Sequence, residues 1–178
     1  MAQLALKGGK PIHVRAFPRW PFFDNREIKA VERVLRSGHW WRYSFGEGLD
    51  YHEPSSGEQR SQVALFQEEF ARFQGATYGI ACSNGTAALD ILVRALDIGP
   101  GMEVIVPAYT YVGGVTCVLQ SNAVPIFVDT DPNTYNIDPA RVEEAVTPNT
   151  VAIIPCHFGG QVADMDRLLD ISRRRGLK

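Results

Sequence analysis

Lysine is scarce in this chain. Of 18 basic residues only Lys7, Lys10, Lys29 and Lys178 are lysines, three within the first thirty positions and one at the last. Chemistry that needs an amine nucleophile must find it among these four. Cysteine is scarcer: Cys82, Cys117 and Cys156 are an odd number with no CxxC pair. Each lies in or beside an apolar segment, so the expectation is reduced, buried thiols in a cytoplasmic protein. The four histidines (His13, His39, His52, His157) lack metal-ligand spacing, so no metal is assigned. No apolar run approaches a membrane span, and the first ten residues lack a signal-peptide core. A net charge of −2 and a pI near 6.1 offer no footprint for nucleic acid or an acidic membrane. The one basic run, Arg173-Arg174-Arg175, falls in the last turn of an expected helix, where it complements the helix dipole as a solvated end.

What is present is a strand–helix alternation. At 178 residues the chain can bury a sizeable core. Short apolar runs at 78–82, 103–107, 124–129 and 151–155 read as strands covered on both faces. Helical periodicity occupies 87–96, 111–120, 139–146 and 164–175. Repeated units of this kind predict an α/β fold with a mostly parallel sheet. After Arg175-Gly176 another strand is due, so the expectation is the front part of a larger protein, cut before its sheet is complete. The region before residue 78 differs. An aromatic and proline-rich segment at 17–23 leads to a helix at 25–36, capped by Asp24, with Ile28, Val31 and Leu35 on one face. Residues 44–62, rich in Gly, Ser, Glu and Pro, read as a long loop. Helix returns at 63–73 with Leu65, Phe66, Phe70 and Phe73 apolar. The expected division is therefore 1–62, an N-terminal helix and loop segment, and 63–178, the α/β part.

The strongest local signal is Ser83-Asn84-Gly85-Thr86, between the first strand and a helix whose Leu89, Leu92, Val93 and Leu96 share one face. A small turn at a helix start leaves backbone N–H groups free beside the positive end of the dipole, a seat for phosphate. Ser83 or Asn84 can cap the helix; an ordinary capped turn reads the same way. Tyr109 and Tyr111 follow the next strand, at the sheet edge where α/β proteins gather ligands. Tyr111 can stack on a planar ring, or both can be packing residues. His157 follows a later strand at the same edge and is either a ligand contact or a hydrogen-bonded structural residue. Asp164 reads as a helix N-cap. Gly46-x-Gly48 has no strand before it and no helix after it, so it is not a dinucleotide motif. Trp40-Trp41, beside the long loop, suit an interface or a substrate pocket.

Several motifs hold order and spacing from about residue 20 to 176. They include Val34-Leu35-Arg36-Ser37-Gly38, Phe66-Gln67-Glu68-Glu69-Phe70-Ala71, Ser83-Asn84-Gly85-Thr86-Ala87-Ala88-Leu89 and Gly99-Pro100-Gly101-Met102-Glu103-Val104-Ile105-Val106-Pro107. Thr110-Tyr111-Val112, Pro125-Ile126-Phe127-Val128-Asp129, Tyr135-Asn136-Ile137-Asp138-Pro139, His157-Phe158-Gly159-Gly160 and Ala163-Asp164-Met165-Asp166 continue the series. Together they resemble the DegT/DnrJ/StrS family of pyridoxal-phosphate-dependent sugar aminotransferases. The segment Gly38-His39-Trp40-Trp41-Arg42 is also similar to 3-amino-5-hydroxybenzoate synthases of that family.

The resemblance implies the large domain of a fold-type-I pyridoxal 5'-phosphate (PLP) transferase, with a seven-stranded, mostly parallel sheet. It also implies a small C-terminal domain absent from these residues, and a homodimer with its sites at the subunit interface. On that basis the amides of Gly85 and Thr86 hold the cofactor phosphate and Tyr111 covers the pyridine ring. Trp41 and His157 are candidates on the substrate side, which the 44–62 loop borders. The family transfers an amino group from glutamate or glutamine to a keto sugar or related cyclic ketone. Its lysine, and the aspartate that faces the pyridine nitrogen, come after the matched region. None of the four lysines here belongs to a matching motif, so no catalytic residue is assigned and the chain by itself is expected to be inactive. A relative that dehydrates sugars with histidine in place of lysine, or a non-catalytic phosphate-ligand binding module, are the competing expectations.

Overall fold

The computed structural model describes residues 3–38, 40, 44–45, 51–52 and 61–178. They fall into two compact units, Met1–Ala81 and Cys82–Lys178.

In the first unit, helix α1 spans Asn25–Ser37. Asp24 starts it: its carboxylate accepts the Arg26 N–H at 2.8 Å, while Glu27 accepts the Asp24 N–H at 2.7 Å. This reciprocal box satisfies donors that a helix start leaves over. Its apolar face is open, with Ile28, Val31 and Leu35 all exposed. Two short antiparallel strands, β1 (Ser44–Phe45) and β2 (Tyr51–His52), pair inside the stretch expected to be loop throughout. The rest of that stretch, with Gly46 and Gly48, lies outside the described residues.

Helix α2 (Gln62–Phe73) begins at the Ser61 cap. It buries Ala64, Gln67 and Ala71 rather than the expected aromatic face, since Phe66, Phe70 and Phe73 are exposed. The cause is the segment after it. The Ala81 N–H donates to Gln67 Oε1 at 2.8 Å, and a Cβ on Gly79 would lie 2.4 Å from the Gln67 carbonyl oxygen. Only small residues on α2 and a glycine opposite allow so close an approach. The same contact corrects the strand expected at 78–82. Its backbone lies against α2 and forms no ladder among the described residues, so these residues are irregular.

The second unit follows the expected alternation closely. Its elements are α3 (Gly85–Ala95), β3 (Glu103–Pro107), α4 (Gly113–Gln120), β4 (Val124–Val128), α5 (Pro139–Ala145), β5 (Thr150–Ile153) and α6 (Met165–Arg175). The strands are parallel in the order β4-β3-β5. Central β3 is covered on both faces, which is why its sequence is continuously apolar. Val104 and Val106 face one cluster with Leu89 and Val93 of α3 and Cys117 and Val118 of α4. Ile105, pointing the other way, meets Val142 of α5 and Leu168 and Ile171 of α6. Each such side chain contributes about 1.5–3 kcal/mol by leaving water. The expected α3 face is only partly right: Val93 is buried, but Leu92 and Leu96 are 57% and 45% exposed. The helix turns Leu89 and Val93 to β3 and leaves the other two on its flank.

Caps match the residue types. Asp138 accepts the Ala140 N–H before Pro139 at the first helical position, and Asp164 accepts the Arg167 N–H. The basic end of α6 is more than a solvated terminus. Arg174 and Arg175 both grip Glu143 of α5, at 2.7 and 2.6 Å, and hold its carboxyl at about 2. Beyond α6, the Lys178 N–H donates to the Val151 carbonyl at 2.9 Å and its carbonyl accepts the Ile153 N–H at 3.1 Å. The chain thus resumes parallel pairing on the free edge of β5. Of the cysteines only Cys117 is buried; Cys82 is exposed and Cys156 half-buried, against the expectation for all three. Cys82 stays open because its segment forms no sheet. No helix among the described residues is long and apolar enough to cross a membrane.

Candidate functional site

Asn84, not Ser83, caps α3. Its backbone is extended and its Oδ1 accepts the Ala87 N–H at 2.9 Å. The Ala88 N–H then begins the helical series on the Asn84 carbonyl. This leaves the N–H groups of Gly85 and Thr86 without an acceptor among the described residues. They point from the positive end of an eleven-residue helix.

Tyr111 is brought to the same place by the chain leaving β3. The Ala108 N–H bonds to the Val128 carbonyl and prolongs the ladder, after which a turn at 111–114 opens α4. That turn is why α4 begins at Gly113 rather than at Tyr111. Asn84, Gly85, Thr86, Ala87, Leu89 and Tyr111 line one open cavity of about 740 Å3. The Tyr111 side is 70% exposed, so a ring face is free to be covered. Gly113 makes this proximity possible: a Cβ there would lie 2.9 Å from the Tyr111 ring and 3.2 Å from Thr86 Oγ1. The cavity therefore offers backbone donors for an oxyanion at one end and an aromatic face at the other. No lysine or carboxylate lines it among the described residues.

The other candidates fall elsewhere. Tyr109 packs, its ring 4.4 Å from that of Phe158 and 6.1 Å from that of Tyr135. His157 is exposed at the C-terminal end of β5, and its Nδ1 accepts the Ala163 N–H at 3.1 Å. It does not line the cavity of Gly85 and Tyr111. Trp41 lies outside the described residues; Trp40 is exposed and donates to the Leu35 carbonyl.

Two features escaped the sequence. Asn136, 3% exposed, ties two loops together, accepting the Phe158 N–H at 2.9 Å and donating to the Gln161 carbonyl at 3.0 Å. It gave no distinguishing signal, being one polar residue among several in Asp131-Pro132-Asn133-Thr134-Tyr135-Asn136-Ile137-Asp138. Gly113 gave none, because Gly113-Gly114 reads as an ordinary helix start.

The chain is 42% identical over 176 residues to L-glutamine:scyllo-inosose aminotransferase of Streptomyces griseus, covering 99% of this chain and 39% of that protein. The crystal structure of 3-amino-5-hydroxybenzoic acid synthase superposes with a TM-score of 0.79 at 40% identity, covering 91% of this chain and 38% of that one. NtdA from Bacillus subtilis, solved with bound cofactor PMP, gives a TM-score of 0.72 at 32% identity, with coverages of 92% and 36%. The chain thus spans about two fifths of the length of these relatives. The fold is part of the large domain of a fold-type-I PLP transferase. The sequence model of the DegT/DnrJ/EryC1/StrS aminotransferase family matches residues 22–178, and the chain belongs to that family.

Proposed function

We propose that this chain is the phosphate- and ring-binding part of a PLP-dependent aminotransferase acting on a keto sugar or cyclic polyol ketone. The observation that carries this reading is the pair of unpartnered amides at Gly85 and Thr86, sharing a cavity with the open ring of Tyr111. The residues fit the cofactor: donors beside a helix dipole suit a phosphate, and a tyrosine face suits a pyridine ring. Gly85 and Thr86 bind and orient the phosphate. Tyr111 covers one ring face and keeps water from it. The bound cofactor supplies an electron-withdrawing ring and an aldehyde carbon that carries the amino group between substrates.

The lysine and the carboxylate that this chemistry needs are assigned to the complete protein, outside the motifs matched here. Alone, the chain binds but does not transfer. Residues 1–62 and 63–178 are proposed as the substrate-side segment and the cofactor domain, with Trp41 on the substrate side. A cytoplasmic homodimer completes the proposal.

The test is direct. The complete gene product should bind PLP and, with L-glutamine as donor, aminate scyllo-inosose or a related keto-polyol. PLP binding without amination of any keto-polyol or keto sugar would refute the reaction. Failure to bind PLP would refute the site.

A further inference from the structure

Helix α4 opens on two glycines, Gly113 and Gly114, and neither has the left-handed backbone that calls for glycine. Alanine would serve the helix better at both positions, because glycine gives up more backbone freedom on folding. The space around each one separates them. A Cβ on Gly114 would meet Ile154 Cγ2 at 3.9 Å and Thr110 Oγ1 at 4.0 Å, which is ordinary contact. A Cβ on Gly113 would lie 2.9 Å from Cε1 and 3.1 Å from Cδ1 of Tyr111, and 3.2 Å from Thr86 Oγ1. Contacts that short are not sustained in a packed structure, so a methyl group at 113 displaces a neighbour.

Which neighbour moves follows from how each is held. Gly113 is buried, on a helix whose Cys117 and Val118 pack against β3, so its backbone stays in place. The Tyr111 ring is 70% exposed and can swing toward solvent. The missing Cβ therefore decides where one edge of this ring rests, beside the Thr86 hydroxyl and in the cavity that Gly85 and Thr86 also line.

We propose that Gly113 is a positioning residue for the cofactor: its bare α-carbon seats the Tyr111 ring at the depth from which the ring covers the pyridine, and a side chain at 113 lifts the ring away. This rests on the PLP reading above. Gly113 acts only through Tyr111 and makes no contact of its own with the phosphate or the pyridine.

The test uses the complete protein with Gly113→Ala, Gly114→Ala, Tyr111→Ala, and Gly113→Ala combined with Tyr111→Ala. The readouts are affinity for PLP and for pyridoxal, and the near-ultraviolet dichroism of the bound cofactor. Gly113→Ala should bind PLP about 3- to 10-fold more weakly, the range of one aromatic contact, and should alter the dichroism. Pyridoxal should lose affinity by a similar factor, since covering the ring needs no phosphate. Gly114→Ala should match wild type. In the Tyr111→Ala background Gly113→Ala should cause no further loss, as expected of a residue that works through another. Wild-type affinity and dichroism in Gly113→Ala, an equal loss in Gly114→Ala, or a loss that adds in full to that of Tyr111→Ala would each overturn the proposal. A loss confined to PLP would also overturn it, by assigning the effect to Thr86 and the phosphate end. The denaturant midpoint of Gly113→Ala should be no lower than that of wild type; a lower one would make Gly113 a residue that holds the fold instead. Wild-type protein that binds no PLP would overturn the cofactor reading itself, whereas normal wild-type binding with any of these contrary results would overturn only the role of Gly113.

Discussion

Replacing Gly85 by proline removes one hydrogen-bond donor from the proposed phosphate seat and little else. Gly85 is the first residue of α3, where proline is favoured and where its missing N–H has no helical partner to lose. Asn84 before it is already extended, at φ −169° and ψ 173°, the region that a following proline requires. A Cβ on Gly85 meets nothing within 4 Å, so the site has room beside the backbone. The helix cap, Asn84 to Ala87, is untouched. What disappears is a charge-assisted bond from the Gly85 amide to the cofactor phosphate, worth about 1.5–3 kcal/mol. PLP affinity of the complete protein should fall about 10- to 100-fold. Gly85→Ala, which keeps the N–H, is the control and should bind as wild type does. Titration followed by absorbance reads the affinity, and pyridoxal without its phosphate supplies a second control that Gly85→Pro should not affect. Equal PLP affinity in the proline variant and wild type would refute the phosphate seat. A similar loss for pyridoxal would show a distorted cavity instead.

Tyr111→Ala should weaken PLP binding several-fold, from about 0.5–1.5 kcal/mol of aromatic contact, with Tyr111→Phe unchanged; unaltered near-ultraviolet dichroism of the bound cofactor in the alanine variant would exclude stacking. Asn136→Ala leaves the Phe158 N–H and the Gln161 carbonyl without their partner. It should lower denaturant stability of the complete protein by about 1–3 kcal/mol or more, and a neutral effect would show that water replaces the side chain. The Glu143 carboxyl, held at about 2 by hydrogen bonds from Arg174 and then Arg175, lies below its ordinary value of 4.5. The contribution of this α5–α6 tie is therefore present above pH 4.5 and lost as pH falls toward 2. Glu143→Gln should flatten the stability profile in that window, and an unchanged slope would show that the tie contributes nothing.

The second unit was legible because its local signals agree with one another. Asp138-Pro139 and Asp164 mark helix starts by chemistry that needs no tertiary help, and both caps form. The apolar run at 103–107 could only be a strand with both faces covered, and it is. Failures occurred where a third partner decided the outcome. Residues 78–82 have strand composition, but Gln67 and Ala71 on α2 claim their backbone. The same contact rotates α2 so that Ala64, not Phe66, is buried. Periodicity finds an apolar face but cannot say which of two faces a neighbour will take. Gly85, Thr86 and Tyr111 stand out in the sequence by residue type and position, and one cavity unites them. Gly113 was not, because its role is to have no side chain where two others meet.

The proposed phosphate donors and ring face owe their separation to the core rather than to loops. The Gly85 and Thr86 amides are the first residues of α3, and Tyr111 stands immediately before α4. Both helices pack on the same face of β3: Leu89 and Val93 from α3, Cys117 and Val118 from α4, all against Val104 and Val106. Interiors of this kind are close-packed and do not deform continuously, so the distance from oxyanion donors to ring face is fixed before any ligand arrives. Burial also pushes the Cys117 thiol above its ordinary pKa, which keeps it a neutral packing group. On the reading proposed above, a site set in this way serves the phosphate and the ring of the cofactor, which every substrate of the enzyme meets. It says little about what differs between substrates. On the same reading, selection among ketones comes from groups that are not on α3, α4 or β3. The names of two relatives at about 40% identity, a scyllo-inosose aminotransferase and a 3-amino-5-hydroxybenzoic acid synthase, are in keeping with that division of roles.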